Sequence, residues 1–167
     1  MQEKYVYGKR ESQVGQMERT LVLIKPDAIR RELVGEIISR FERKGLKIIA
    51  MKMIKFDEKL SKEHYKDHVN KPFYPDLEKF ITSGPVIAMV LEGVEVIETV
   101  RNLVGSTNGR KATPGSIRGD FSTSFSRNLV HASDSKDSAA REIKLFFNDE
   151  EIVNWDRPKE LYYASDE

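Results

Sequence analysis

The sequence predicts an α+β fold in a single domain, on three observations. Residues 20–25, 46–56 and 85–91 are short apolar runs of the length typical of buried strands. The segments between these runs either place apolar residues at helical spacing or are short and polar. A length of 167 residues suits one domain of ordinary size with its own hydrophobic core.

Local signals justify each element of the first half. The strand over 20–25 ends before Pro26, and the residue that precedes a proline favours extended backbone. Gly45 suits the C-terminus of the first long helix, because glycine adopts left-handed backbone readily. The predicted elements are, in order, a strand over 20–25, a helix carrying Val34, Ile37, Ile38 and Phe41, a strand over 46–56, a short polar helix that Ser61 opens and that runs to His68, and a short helix over 75–82.

The second half adds two strands, two helices and a long loop. Residues 105–127 show no periodicity and are rich in glycine, so we expect a functional or mobile loop there. The other predicted elements are a strand over 85–91, a helix carrying Val94, Ile97, Val100 and Val104, a strand over 129–132, and a helix from Ser135 to about Phe147. This order predicts the ferredoxin-like (split βαβ) architecture, a four-stranded antiparallel sheet with helices on its faces.

The two ends of the chain differ from the middle. Residues 1–17 are polar and lack the apolar centre of a signal peptide. We expect a flexible extension there, either a leader or the result of an upstream start, with Met17 as a candidate natural first residue. Residues 18–167 form the predicted domain. The tail after Trp155 carries Leu and Tyr side chains, which predict that it packs against a surface.

Composition narrows the classes of function. The 28 basic and 27 acidic residues give a net charge of +1, so no global charge favours nucleic acid or an acidic membrane. The absence of cysteine excludes disulfides and thiolate metal sites, and it fits the reducing cytoplasm, where we expect the protein to act. No apolar run approaches the roughly 18 residues of a membrane span.

His131 is the first candidate for chemistry. It ends an apolar run and is followed by Ser133, Asp134 and Ser135 at a predicted helix N-terminus, where backbone N–H groups favour anions. An imidazole beside phosphate-binding groups can carry a phosphoryl group covalently. The alternative is an ordinary core histidine. Glu142 lies on the predicted buried face of the last helix and needs a partner, which is either His131 or an arginine.

Other candidates depend on the fold bringing them together. Lys25, Arg101, Arg118 and Arg127 could bind phosphate oxygens if they converge, and singly each is an ordinary solvated charge. The rings of Tyr65 and Phe73 could stack on a base, although core packing is an equal alternative for Phe73. His64 and His68 have i, i+4 spacing that could bind a metal, but without a third ligand we expect two surface histidines. The sequence contains neither a P-loop nor a GxGxxG motif.

These features coincide with a family resemblance. The segments that carry it are ERTLVLIKPDAIRR, LVGEIISRFERKGLKIIAMK, HYKDH, KPFYPDL, SGPVIAMVLEG, RNLVGSTN, PGSIRGDF and RNLVHASDS. From residue 18 to residue 155, the chain resembles the nucleoside diphosphate kinase family. So many segments in the same order make a chance match implausible.

The resemblance implies a role for each candidate residue. His131 would be the phosphorylated nucleophile, through Nδ1, and Glu142 would orient it. Ser133 would hydrogen-bond the glutamate or the phosphate, and Asp134 would reach magnesium through water. The residues that would contact the phosphates and ribose are Lys25, Tyr65, Arg101, Thr107, Arg118 and Asn128, and Phe73 would stack on the base beside Leu77.

The resemblance also implies an activity and an assembly. Family enzymes move the terminal phosphate of a nucleoside triphosphate to a diphosphate by a ping-pong route, with Mg²⁺ bound to the nucleotide, and assemble as homohexamers or homotetramers. Two alternatives are a catalytically silent relative that binds nucleotides and an RNA-binding module, which the near-neutral charge disfavours. We expect no membrane and no specific nucleic-acid partner.

Two positions depart from the family pattern. Ala132 stands where the family usually has glycine, and we expect it to be harmless if its φ is negative. Gly109 stands where the family usually has proline after Thr-Asn. Glycine is predicted to loosen that loop, which forms subunit contacts in the family.

Overall fold

A computed structural model describes residues 15–164 of the chain. Its centre is a four-stranded sheet in the order β2-β3-β1-β4 with antiparallel neighbours, which confirms the predicted ferredoxin-like α+β architecture. The strands are β1 (Met17–Ile24), β2 (Lys47–Lys55), β3 (Pro85–Val94) and β4 (Val130–Ala132). Residues 1–14 of the predicted extension lie outside the described residues, and Met17 is already in β1, opposite Val94.

Seven α-helices of the described residues connect and flank these strands. They are α1 (Pro26–Arg30), α2 (Val34–Arg43), α3 (Glu58–His64), α4 (Tyr74–Ile81), α5 (Val96–Val104), α6 (Ile117–Phe121) and α7 (Lys136–Phe146). Short 3₁₀ helices cover Gly109–Lys111, Asp149–Glu151 and Lys159–Leu161. Ser135 caps α7 as predicted, by accepting a hydrogen bond from the Ser138 N–H.

The structure corrects three predictions of local structure. The polar helix α3 begins at Glu58 rather than Ser61, because Asp57 accepts a hydrogen bond from the Leu60 N–H at 2.7 Å and caps it. Its last residue is His64 rather than His68. The first turn after β1 is the helix α1, which the sequence did not predict; five residues are too few to show a helical period.

The predicted loop over 105–127 is not structureless. It contains α6 and the 3₁₀ helix at Gly109–Lys111. Ser116 caps α6 by accepting a hydrogen bond from the Gly119 N–H at 3.0 Å. Helices this short are set by side-chain caps rather than by an apolar stripe, so periodicity did not reveal them.

Each face of the sheet carries its own hydrophobic core. On one face, Val22 and Ile24 of β1 pack with residues of α2 and α5, including Phe41 and Val100. Leu21 and Leu23 of the same strand point to the other face. There they pack with residues that include Tyr74 and Ile81 of α4 and Phe146 of α7. This alternation follows from the two-residue period of a strand.

The C-terminal segment contacts the sheet through Trp155 and Tyr163, whereas Leu161 of the predicted packing tail is 68% exposed. The indole N–H of Trp155 donates to the Ile48 carbonyl at 3.0 Å, beside an irregularity in β2 between Ile48 and Ala50. The hydroxyl of Tyr163 accepts a hydrogen bond from the Val94 N–H at 3.2 Å. Among the described helices, none is long and apolar enough to cross a membrane.

Candidate functional site

His131 lies in the middle of the edge strand β4, opposite Leu23 of β1. The residue that leads into this strand, Leu129, has a φ of 72°, an uncommon conformation for a side chain that is not glycine. Two contacts to the start of α1 hold it there. The Leu129 N–H donates to Asp27 Oδ2 at 3.1 Å, and its carbonyl accepts from the Lys25 N–H at 2.8 Å. Residues at the junction of β1 and α1 therefore hold the backbone of Leu129, the residue just before β4, in its conformation.

A buried carboxylate holds one nitrogen of the His131 ring. Nε2 lies 2.7 Å from Oε2 of Glu142, whose residue is only 4% exposed. The hydroxyl of Ser133 donates to the same oxygen at 3.0 Å and accepts from the Leu21 N–H at 3.3 Å. Because a carboxylate oxygen can only accept, Nε2 carries the ring proton. Nδ1 takes no part in this bond and keeps its lone pair.

His64 lies against the same ring, which corrects the expectation of a surface histidine. It is 4% exposed, and its ring stands edge-to-face to His131 with centroids 4.7 Å apart. Aromatic contacts with Phe56 and Phe146 surround it. Burial lowers the pKa of His64 to about 2, and His131 adds to the effect, so the ring is neutral. Within the described residues, neither nitrogen of His64 has a hydrogen-bond partner.

The guanidinium of Arg118 ties three backbone segments together beside His131. Nε donates to the Asn128 carbonyl at 3.0 Å, Nη1 to the Gly105 carbonyl at 3.0 Å and Nη2 to the Val130 carbonyl at 2.6 Å. A guanidinium has five N–H groups, so two remain for a ligand. Burial, and then the charge of Arg101, lower the pKa of Arg118 to about 10, which leaves it charged at neutral pH.

Lys25 provides a second buried cation. Its Nζ donates to Oδ1 of Asn128 at 2.6 Å. The Asn128 amide in turn donates to the carbonyls of Thr107 at 3.1 Å and Phe125 at 2.9 Å. Burial, and then the charge of Arg118, lower the pKa of Lys25 to about 8. Of the four predicted cations, Lys25 and Arg118 therefore converge around Asn128. Arg127 is exposed, and its guanidinium lies 4.0 Å from the centre of the Phe80 ring.

Three of the predicted ligand-binding residues are exposed rather than buried: Arg101, Thr107 and Asp134. Arg101 is exposed, and its Nη1 donates to the Ala132 carbonyl at 3.4 Å. Thr107 is exposed. Asp134 is also exposed, and hydrogen bonds, the largest from Ser138, hold the pKa of its carboxyl below the usual range. All three residues are exposed to solvent, where a ligand can reach them.

The predicted aromatic residues divide into one exposed and one buried ring. Phe73 is 52% exposed at the start of α4, so the core-packing alternative is wrong, and its ring lies 5.6 Å from that of His68. Tyr65 is buried rather than exposed, and burial raises the pKa of its hydroxyl. That hydroxyl has no hydrogen-bond partner within the described part of the chain. Leu77 is half-buried.

The two departures from the family pattern have different outcomes. Ala132 does not have a positive φ, so its methyl group causes no backbone strain. The expectation that Gly109 loosens its loop stays a prediction, but the residue is closely packed. Its N–H donates to the Ser124 carbonyl at 3.0 Å, a bond that proline cannot make, and a Cβ at this position would overlap the Ser122 carbonyl oxygen.

His64 is the residue of this site that the sequence analysis missed. The signal was present in the spacing, because His64 lies four residues after Leu60, which packs against the core. Its pairing with His68 hid this, since the two histidines are on different segments: His64 ends α3, whereas His68 is exposed beyond it.

Comparisons with known proteins agree with the geometry. A family model described as nucleoside diphosphate kinase matches residues 18–152. The chain is 58% identical over 139 residues to a nucleoside diphosphate kinase of Rhodopirellula baltica, which covers 83% of this chain and 91% of that protein. It is 59% identical over 138 residues to one of Staphylothermus marinus, which covers 83% and 98%.

Solved structures of the same kind are also similar. A halophilic nucleoside diphosphate kinase from Halobacterium salinarum in complex with CDP is 47% identical, with a TM-score of 0.86, and covers 89% of this chain and 100% of that one. A transition state mimic of the enzyme from Borrelia burgdorferi, with bound vanadate and ADP, is 44% identical, with a TM-score of 0.82 and coverage of 88% and 98%.

Proposed function

Because the chain belongs to the nucleoside diphosphate kinase family, we propose that it transfers the terminal phosphate of a nucleoside triphosphate to a nucleoside diphosphate through a phosphohistidine on His131. The observation that carries the proposal is the pairing of His131 Nε2 with the buried Glu142 at 2.7 Å. That bond leaves a nucleophilic nitrogen on a ring held in one orientation.

Nδ1 of His131 is the proposed nucleophile. In the first half-reaction a P–N bond forms at Nδ1 as the bond between the terminal phosphorus and its bridging oxygen breaks, and the nucleoside diphosphate leaves. The ring becomes positively charged, and the Glu142 carboxylate stabilises that charge through the Nε2 proton. Ser133 keeps the carboxylate oxygen in place at 3.0 Å. The second half-reaction reverses these steps with another diphosphate, which makes the kinetics ping-pong.

The cations bind the transferred phosphate. Phosphoryl transfer needs positioning and neutralisation of charge more than covalent help. Arg118 has two N–H groups left after its three backbone bonds, and Lys25 adds a compact charge close enough to Arg118 for the two to interact. Arg101 reaches the same region from α5. We assign these three side chains to the phosphates.

The base and sugar have fewer anchors. The exposed ring of Phe73, with Leu77 beside it on α4, is assigned to the base by stacking. A base that only stacks is recognised by its π-face, so the proposed enzyme discriminates little between bases. Thr107, Asn128 and the unpartnered hydroxyl of Tyr65 are assigned to the ribose and phosphates.

Magnesium is the proposed cofactor, bound with the nucleotide. Asp134 fits this ion, because it is an exposed carboxylate whose lowered pKa keeps it ionised, and Mg²⁺ prefers oxygen ligands and retained waters. When bound, the ion neutralises phosphate charge. The role of Asp134 is to hold a water of its hydration shell.

Exposed methionines and the composition bear on the assembly and the cellular compartment of the protein. We propose a homohexamer or homotetramer, supported by Met51 and Met53, which are 54% and 62% exposed on the edge strand β2. Exposed apolar side chains on an edge strand favour pairing with another copy. We further propose one domain over residues 18–167 and action in the cytoplasm, the latter from the absence of cysteine.

Intact mass spectrometry tests the proposed function. The wild-type protein mixed with ATP and Mg²⁺ should gain one phosphoryl group, and GDP should remove it. His131→Ala should gain none, while His68→Ala, the matched control at an exposed histidine, should gain one. A wild-type protein that never acquires the adduct would refute the phosphohistidine route and indicate a silent nucleotide-binding relative.

A further inference from the structure

Three side chains at the centre of the site form a potential ligand set for a transition metal. One nitrogen of His64, one of His131 and an oxygen of Glu142 all lie within 4.8 Å of one another. Two imidazoles and a glutamate are a set that binds Zn²⁺ in proteins, with a fourth position left for water. Among the described residues, this is the only such group of histidine and acidic side chains.

The two nitrogens of His64 are the observation that phosphoryl transfer does not use. The residue is only 4% exposed, and both of its ring nitrogens are buried. Both ring nitrogens lack a hydrogen-bond partner among the described residues. A buried polar group without a hydrogen-bond partner destabilises the fold, so such a group usually has a functional role or binds a water or an ion. This one faces the ring of His131 at a centroid distance of 4.7 Å.

We propose that His64, His131 and Glu142 bind a Zn²⁺-like divalent ion that inhibits the enzyme by occupying its catalytic histidine. The inhibition rests on the proposed function of His131, whereas the binding does not. Mg²⁺ prefers all-oxygen coordination, so the ion that accompanies the nucleotide does not compete for this site.

The distances require small adjustments. With Zn²⁺–ligand bonds of about 2.0–2.2 Å in tetrahedral geometry, ligand atoms lie about 3.3 Å apart. The pair formed by His131 Nε2 and Glu142 Oε2 is 2.7 Å apart and must open slightly, while His64 must approach. Ser133 holds the glutamate as metal-binding carboxylates are usually held. The His131 side chain is 24% exposed, which gives the ion and its water a path from solvent.

Inhibition follows from the tautomer of His131. In the free site the proton is on Nε2, because Glu142 accepts it, and Nδ1 keeps the lone pair that attacks phosphorus. An ion at Nε2 takes the lone pair of that nitrogen, so the proton of a neutral ring moves to Nδ1. The nucleophile is then blocked without any contact between the ion and the nucleotide.

Metal titration without nucleotide tests the binding. Zn²⁺ should bind wild-type protein at one ion per chain, and Co²⁺ should show the intense visible bands of four-coordinate cobalt. His64→Ala and His131→Ala should each weaken Zn²⁺ binding by at least about tenfold. His68→Ala is the matched control and should bind within about twofold of wild type. The proposal fails if His64→Ala binds as tightly as wild type or if His68→Ala loses the same affinity.

Two further measurements keep the result interpretable. If His64→Ala is not folded by circular dichroism, the cobalt spectrum of the wild-type protein decides, and the weak bands of six-coordinate cobalt would refute the site. With free Zn²⁺ held by a metal buffer, phosphorylation of His131 should slow, with half-inhibition at the measured Kd. Failure of metal binding leaves the phosphoryl adduct intact, and failure of the adduct leaves the metal affinity intact, so the two proposals fail separately.

Discussion

The two sides of His131 are built in different ways. On the Nε2 side, Glu142 of α7 bonds the ring, and Ser133, the residue after β4, bonds Glu142, both through side chains. On the cation side, Lys25 and Arg118 come from distant segments, and Arg118 donates only to backbone carbonyls. The first arrangement fixes the tautomer and orientation of the His131 ring. The second fixes the backbone path of a loop, so substitutions of Lys25 or Arg118 should affect stability as well as catalysis.

Replacing Arg118 should give the largest effect on the cation side. Arg118→Ala leaves the carbonyls of Asn128, Gly105 and Val130 without this donor. Each buried carbonyl left without its donor costs about 1–3 kcal/mol, so the free energy of unfolding should fall by about 3 kcal/mol or more together with activity. Urea denaturation followed by circular dichroism measures it.

Arg110→Ala is the matched control for Arg118→Ala, because Arg110 is an exposed arginine of the same loop. Its unfolding free energy should stay within about 0.5 kcal/mol of wild type. If Arg118→Ala loses activity but keeps full stability, the contrast between the two sides is wrong, and Arg118 serves the ligand alone.

On the Nε2 side, Glu142→Gln should change chemistry and leave stability nearly intact. Glutamine can still accept the Nε2 proton of His131 and the bond from Ser133, but it carries no charge to stabilise the phosphorylated ring. We expect kcat to fall about tenfold to hundredfold with a change in unfolding free energy below about 1 kcal/mol. Stopped-flow phosphorylation measures the first quantity and urea denaturation the second.

Glu151→Gln supplies the control for that variant, because Glu151 pairs with Lys52 away from the site. Its phosphorylation rate should equal that of wild type. A Glu142→Gln protein that phosphorylates His131 at the wild-type rate would show that the charge of Glu142 is not needed, and orientation alone would then explain the pair.

The same contrast separates what the sequence could predict from what it could not. The pairing of His131 with Glu142 was predictable, because a carboxylate on the apolar face of a helix needs a partner and the strand before that helix offers one. The four strands and the N-terminal cap of α7 were predictable from apolar runs and from Ser135. These are local patterns within one element or its neighbour.

The cation side was not predictable from the residues alone, because its contacts join positions far apart in sequence. The bond between Lys25 and Asn128 joins residues 103 positions apart. Arg118 donates hydrogen bonds to backbone carbonyls, which every residue has, so the sequence does not reveal these partners. Leu129 has a positive φ that only tertiary contacts explain. His64 was misplaced for a different reason, since its pairing with His68 hid the spacing that places it on the same helix face as Leu60.

Gly109 tests whether the loop beside the cation side is closely packed. Gly109→Ala places a Cβ against the Ser122 carbonyl, so the backbone must shift. We expect a loss of about 1–3 kcal/mol in unfolding free energy. Gly35→Ala is the control, since a Cβ there meets nothing within 4 Å, and alanine in α2 should be neutral or stabilising by about 1 kcal/mol. Equal stabilities for the two variants would contradict the packed loop.

Lys25 should give the smallest effect on stability, and that effect should depend on pH. Its pKa is about 8 in the folded protein and 10.5 in the absence of burial. Between these values the unfolded chain binds more protons than the folded one, so the unfolding free energy rises with pH in that window. Below pH 8 both states are protonated, and the full cost of burying the charge is present.

The same titration affects the ligand in the opposite direction. Above pH 8 Lys25 of the free protein loses the charge that attracts phosphate, so the affinity for a nucleoside diphosphate should fall as pH rises, by roughly tenfold. Lys25→Met keeps the length of the side chain without the charge and should remove both trends. Calorimetry measures the affinity and urea denaturation the unfolding free energy, both from pH 7 to 10. The difference between wild type and Lys25→Met in each quantity removes the contribution of other titrating groups. If the differences in unfolding free energy and in affinity between wild type and Lys25→Met do not change with pH over this range, Lys25 is charged throughout. The charge of Lys25 would then be as fixed as the proton on Nε2 of His131.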